Sequence, residues 1–156
     1  MTDINSTFKI IHSIRKTIAF TLSRLSLEQI NKIPNGQSNN IIWNAAHLIS
    51  VQQLLVNRRS NAPYTEGKDI TGPYKPGTYP EGDVDQEFVD YIRERLVASS
   101  LQLEEDYNKG LFDRFEAFDT RTKVNLANAA DAINFILFHE GIHLGYIMSY
   151  INLLKS

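Results

Sequence analysis

Histidines at positions 139 and 143 with a glutamate at 140 spell His-Glu-x-x-His within the stretch Phe138-His139-Glu140-Gly141-Ile142-His143-Leu144-Gly145-Tyr146. On a helix, residues four apart lie one above the other, so both imidazoles project from one face and can share a divalent cation. The spelling is that of zinc peptidases, which draw a third ligand from downstream as a glutamate or histidine. Downstream of His143 there is no Asp, Glu or His, and position 146 is Tyr where the longer motif needs Gly. The third ligand must therefore come from upstream. By wheel angle Glu140 lies at the edge of the histidine face, where it is expected to support a ligand or lie in solvent rather than act as general base.

His47 is the strongest upstream candidate. It follows Trp43 by one turn in the apolar, small-residue stretch Ile41-Ile42-Trp43-Asn44-Ala45-Ala46-His47-Leu48-Ile49. His12, beside Phe8 and Ile11, is expected to be a buried histidine held by a hydrogen bond, with a reserve role as ligand. Three neutral imidazoles at His47, His139 and His143 would leave coordination positions open, the arrangement of a catalytic or substrate-binding site. Asn44 and Tyr146 are the candidates for positioning a substrate, with Glu140 as a supporting group.

The elements that must carry these residues read as helices. Apolar residues recur at helical spacing through Phe8, Ile11, Ile18, Leu22 and Leu25, predicting a helix from Ile4 to about Asn31, which Pro34-Asn35-Gly36 stops. Ser38, Asn39 or Asn40 caps a second helix running to Asn57. Asp83, with Gln86 three residues on, resembles a capping box and opens a third helix that ends at Asn108-Lys109-Gly110. Asn125 is expected to cap the last helix, Leu126 to Leu154. Its inward face reads Ala132, Phe135, Ile136, His139, Ile142, His143, Tyr146, Ile147 and Tyr150.

Two stretches carry no helical pattern. Residues 60 to 82 hold Pro63, Pro73, Pro76 and Pro80, and with Tyr64, Tyr74 and Tyr79 they read as an ordered covering loop or a crossover. Leu111 to Val124 holds Phe112, Phe115 and Phe118, which must pack somewhere on the bundle. Strand signals and internal repeats are absent, so the expectation is an all-α four-helix bundle with long second and third connections, in a single domain over 1–156. The opposite face of the last helix, Leu137, Gly141, Leu144, Gly145 and Met148, is apolar as well. Either the phenylalanine-rich stretch or a second subunit must cover it, and the homodimer is the expected cover.

Composition narrows the function. The chain has 156 residues, a net charge of −2 and a pI near 6.1, which leaves no electrostatic footprint for nucleic acid. With no cysteine there is neither a disulfide framework nor a thiolate ligand or nucleophile. No signal peptide is expected from Met1-Thr2-Asp3-Ile4-Asn5-Ser6, and no apolar run approaches the roughly 20 residues that span a bilayer. The expectation is a soluble cytoplasmic protein with no membrane partner.

Trp43-x-x-x-His47 on the second helix, together with His139-x-x-x-His143 followed by Leu144-Gly145 on the last, resembles the pattern of the DinB-like superfamily over nearly the whole chain. The resemblance implies a four-helix bundle with an unusual connection order and a divalent metal, zinc or nickel, on His47, His139 and His143. It also implies frequent homodimers and the use of a low-molecular-weight thiol as cosubstrate by S-transferases or thiol-dependent isomerases. The expected function is thus metal-dependent chemistry on a small molecule, a thiol or water being activated in a transferase or hydrolase-like reaction. The alternative is a non-catalytic metal-binding or stress-related module.

Overall fold

The computed structural model describes residues 3–155. Ser26 interrupts the first predicted helix: α1 covers Ile4–Ser23, and a separate short α2 covers Leu27–Asn31. The Ser26 side chain accepts from Gln29 N–H while the Gln29 side chain accepts from Ser26 N–H, a reciprocal cap that starts a new helix more cheaply than the old one continues. Gly36, at φ +78°, then turns the chain. Asn40, of the candidates at 38 to 40, caps α3 (Ile41–Gln52) by accepting from Trp43 N–H, and a π-helical turn, Gln53–Asn57, prolongs that helix.

The third long helix, α5 (Gln86–Asn108), begins two residues later than a cap at Asp83 would set it. Asn31 holds Val84 extended, its amide bonding both Val84 N–H and Val84 C=O at 2.8 and 2.9 Å, so the cap falls to Asp85, which accepts from Phe88 N–H. Gly110, at φ +74°, closes α5 with Leu111 N–H on Asp106 C=O and its own N–H on Tyr107 C=O. A Cβ there would also come within 2.9 Å of the Asp113 carboxylate.

Two departures concern the loops. The 58–85 connection contains a short α4, Lys68–Thr71. The 109–128 connection contains a small antiparallel sheet, β1 (Phe118–Asp119) against β2 (Asn125–Leu126), where no strand was expected. Asn125 is a strand residue whose side chain donates to Asp119, and Asn128 caps α6 (Ala129–Leu153) instead. Strands this short leave no period in a sequence for alternation to reveal.

The principal contacts set α1 against α5 and α6, and α3 against the same pair, so α1 and α3 lie on a diagonal. Two apolar clusters fill the interior. One takes Ile18 and Leu22 from α1, Ile41 to Ile49 from α3, Val89 to Leu96 from α5, and Ile147 and Tyr150 from α6. The other takes Phe8 and Ile11, Val56, Leu103, and Ala132 to Ile136. Along the chain, α1 and α6 pass from the second cluster to the first, while α3 and α5 pass the other way. Parallel neighbours cannot be joined by a tight turn, so the 58–85 connection must return along the whole bundle. The fold is an all-α four-helix bundle with long second and third connections.

Between the clusters lies a polar layer. Arg15, fully buried on α1, donates from Nε and Nη2 to Glu140 Oε1 of α6 at 2.8 and 2.6 Å, and from Nη1 to Ser99 Oγ of α5 at 2.7 Å. Gln52 of α3 donates to Ser99 C=O at 3.1 Å. Among the described residues no helix is long and apolar enough to cross a membrane.

Candidate metal centre

The histidine cluster sits at the edge of this polar layer. α3 is buried along its whole length, so its polar side chains need partners. His47, Ser50, Gln53 and Asn57 recur along it at helical spacing, and each bonds the returning 58–85 connection. Asn57 Nδ2 donates to Pro63 C=O, Gln53 exchanges bonds with Thr65 N–H and Oγ1, and Ser50 Oγ donates to Thr71 C=O. His47 Nδ1 lies 2.6 Å from Tyr74 C=O. A carbonyl only accepts, so Nδ1 carries the proton and Nε2 keeps its lone pair.

His143 is fixed in the same sense from another direction. Its Nδ1 lies 2.7 Å from Asn44 Oδ1, and Asn44 Nδ2 donates to Asn39 Oδ1 and Asn40 C=O, both at 2.8 Å. Those acceptors set the orientation of the Asn44 amide, whose oxygen then takes the His143 proton. Two imidazoles of the cluster thus keep unprotonated Nε2 atoms. His139 Nε2 is 3.1 Å from His143 Nε2, and ligand atoms of His47, His139 and His143 all lie within 4.8 Å of one another. Tetrahedral Zn–N bonds of about 2.0–2.1 Å put neighbouring nitrogens about 3.3 Å apart, so the cluster has the size a divalent cation needs.

Electrostatics favour the ligand form. Burial lowers the pKa of His47, opposed by its bond to Tyr74. Burial, then the neighbouring His47 and Arg15, push His139 down to about 3. Burial, then His139 and His47, push His143 down to about 2. These shifts favour the neutral form of His47, His139 and His143, as metal ligation requires.

Glu140 is neither solvated nor at the cluster's open side. Its side chain is fully buried against Arg15, and burial raises its pKa while Arg15 opposes the shift. It does not line the cavity beside the histidines, where a general base for peptide hydrolysis would have to face. The helix wheel drawn around the histidines is therefore rotated from the true one. α6 buries Ile133, Ile136, Glu140, His143, Ile147 and Tyr150, while Ile142 and Tyr146, expected inside, are 40% and 46% exposed. The buried cation Arg15 gives Glu140 a reason to turn inward, and His139 moves to the border of the buried face. Tyr146 stands at the surface beside His143, their ring centroids 5.9 Å apart.

Asn44 is fully buried and bonds His143 rather than facing open space. His12 lies outside the cluster and bridges α1 to α5, with Nε2 2.6 Å from Glu104 and Nδ1 3.0 Å from Ser100 Oγ. Sequence reading missed Arg15 as the partner of Glu140, although a cation on the apolar stripe between Ile11 and Ile18 was a signal. It also missed Asn39, which accepts from both Asn44 and the Tyr150 hydroxyl, the latter at 2.8 Å. Nothing local in the sequence marks the Tyr74 carbonyl.

A cavity of about 500 Å³ opens onto His47 and His139, lined also by Trp43 and Val51 of α3, Phe135 of α6, and parts of both long connections. A helix bundle with three clustered histidines beside an apolar cavity has the donors for a divalent cation and, next to them, room for a small molecule. Residues 11–147 match the family model of the DinB superfamily, and the chain belongs to that superfamily. No curated protein gives a significant sequence match.

Proposed function

We propose that this protein is a cytoplasmic metalloenzyme in which His47, His139 and His143 hold one divalent cation, zinc or nickel. In this reading a low-molecular-weight thiol, or water, reacts with a small electrophile in the adjoining cavity. The observation that carries it is the pair of fixed tautomers: Tyr74 C=O and Asn44 Oδ1 each take an Nδ1 proton, so that both Nε2 atoms stay bare. A divalent cation bound there supplies Lewis acidity that favours the deprotonated thiol or water at neutral pH.

The protein's own contribution is positioning. Trp43, stacked on His47 with centroids 4.5 Å apart, holds that imidazole flat and forms one wall of the cavity. Phe118 and Phe135 add further apolar wall. A non-catalytic metal-binding module is the second reading. The apolar cavity at the ligands favours the enzyme, since a purely structural site has no use for one.

The test is a transfer assay on zinc- and nickel-loaded protein with a panel of small thiols and electrophiles. Metal-dependent thiol consumption that disappears in His139→Ala is the expected result. Full metal occupancy without turnover for any pair would leave the non-catalytic module. The proposal extends to a homodimer through the outer face of α6, where Phe138, Ile142 and Met148 are exposed and nothing lies within 4 Å of a Cβ placed at Gly141 or Gly145. Sedimentation at micromolar concentration should give twice the monomer mass, and a monomer would remove this part.

A further inference from the structure

The cavity beside the histidines is walled by apolar side chains, among them Trp43, Leu55, Phe118 and Phe135. Among the described residues no aspartate or glutamate lines it, although the chain carries 18 of them. Histidines aside, Arg121 is the titratable residue of the lining. Among the described residues its side chain has no ion pair and no hydrogen bond, as is also true of Arg24, Arg58 and Arg114, but of these four only Arg121 lines the cavity, whereas Arg15, Arg59, Arg93 and Arg95 each meet a carboxylate.

Its place is held by local structure. Arg121 stands at the tip of the β1–β2 hairpin, where Thr120 N–H donates to Val124 C=O at 2.9 Å and the Thr120 and Thr122 hydroxyls lie 3.0 Å apart. The base of the hairpin is pinned, since Glu116 N–H donates to Arg59 C=O at 2.7 Å and the Arg59 guanidinium lies 4.1 Å from the centre of the Phe118 ring. A guanidinium prefers planar oxyanions that accept two parallel hydrogen bonds. Walls with no carboxylate among them leave that preference without a competing negative charge.

We propose that the cavity takes a small molecule combining an apolar body with a carboxylate, and that Arg121 is the residue that selects the carboxylate. This rests on the reading of the cavity as the substrate site, but on neither metal binding nor turnover. The apolar body lies between Trp43, Phe118 and Phe135, and the carboxylate faces the hairpin tip.

Trp43 is the only tryptophan in the chain and lines the cavity, so its fluorescence reports occupancy directly. The experiment titrates metal-free and zinc-loaded protein with 3-phenylpropionate and with its neutral amide, 3-phenylpropionamide, using calorimetry as a second readout. In metal-free wild type the acid should bind about tenfold more tightly than the amide, roughly the worth of one charge-assisted contact. Arg121→Gln should bring the two affinities together by weakening the acid alone, and Arg121→Lys should restore part of the difference. An acid-to-amide ratio unchanged in Arg121→Gln would overturn the proposal, as would a protein in which neither ligand perturbs Trp43 or releases heat. Should zinc fail to bind while the Arg121-dependent preference persists, the metalloenzyme reading fails and this one stands.

Discussion

The two long connections border the same cavity and are held in different ways. The 58–85 connection is zipped along α3, with Asn57, Gln53, Ser50 and His47 reaching Pro63, Thr65, Thr71 and Tyr74 in turn. The 109–128 connection is anchored at its base by Phe112 in the core and by Arg59 against Phe118, while its tip carries the exposed Arg121. The first connection is part of the candidate metal centre, because its Tyr74 carbonyl decides which nitrogen of His47 stays bare. The second faces the cavity and touches no histidine through a hydrogen bond. One fixes ligand geometry and the other shapes what comes near it, so changes to each should separate stability and metal affinity from ligand preference.

Acid is the strongest way to load the histidine cluster that the zipped side helps to orient. In metal-free protein, unfolded histidines titrate near 6.5, while folded His139 and His143 stay neutral down to about 3 and about 2. The unfolded chain therefore binds more protons across that window. Stability is present in full above about pH 6.5 and is lost as pH falls toward 3. Denaturant midpoints at pH 7.5, 5.5 and 4.5 should decline in that order, and His143→Gln should flatten the decline.

Beneath both connections, Arg15→Leu leaves a fully buried carboxyl with no partner and should cost about 3–5 kcal/mol in denaturant unfolding. Pairing it with Glu140→Leu should recover much of the loss, and no recovery would mean that the pair is not the reason the layer holds. Gln53→Ala removes two hydrogen bonds to Thr65 and should cost about 1–3 kcal/mol, with faster proteolysis confined to residues 58–85. Arg121→Gln, at an exposed tip, should change stability by less than about 0.5 kcal/mol. Equal costs for these last two would erase the distinction between a zipped and a pinned connection.

What the sequence disclosed follows from range. The His139–His143 pair is legible because one helix turn links cause and consequence, and the bundle is legible because each amphipathic stripe is local. Ser26-x-x-Gln29 was equally local and should have divided the first helix. The burial of Glu140 was not legible, since its partner Arg15 lies in another helix and only packing brings them together. The same holds for Asn44, whose role depends on Asn39, Asn40 and His143 at once. Arg121 is hidden for another reason: a hairpin with two-residue strands gives no periodic signal, so nothing places its tip over the cavity.

Metal content is the most direct test of the central claim that His47, His139 and His143 form one site. Elemental analysis after equilibration with zinc and removal of loose ions should give about one equivalent per chain for wild type. His47→Ala should lose it as fully as His143→Ala does, while His12→Ala keeps it. Full zinc occupancy in His47→Ala would contradict the account, because the site would then not need the helix that the returning connection is built to orient.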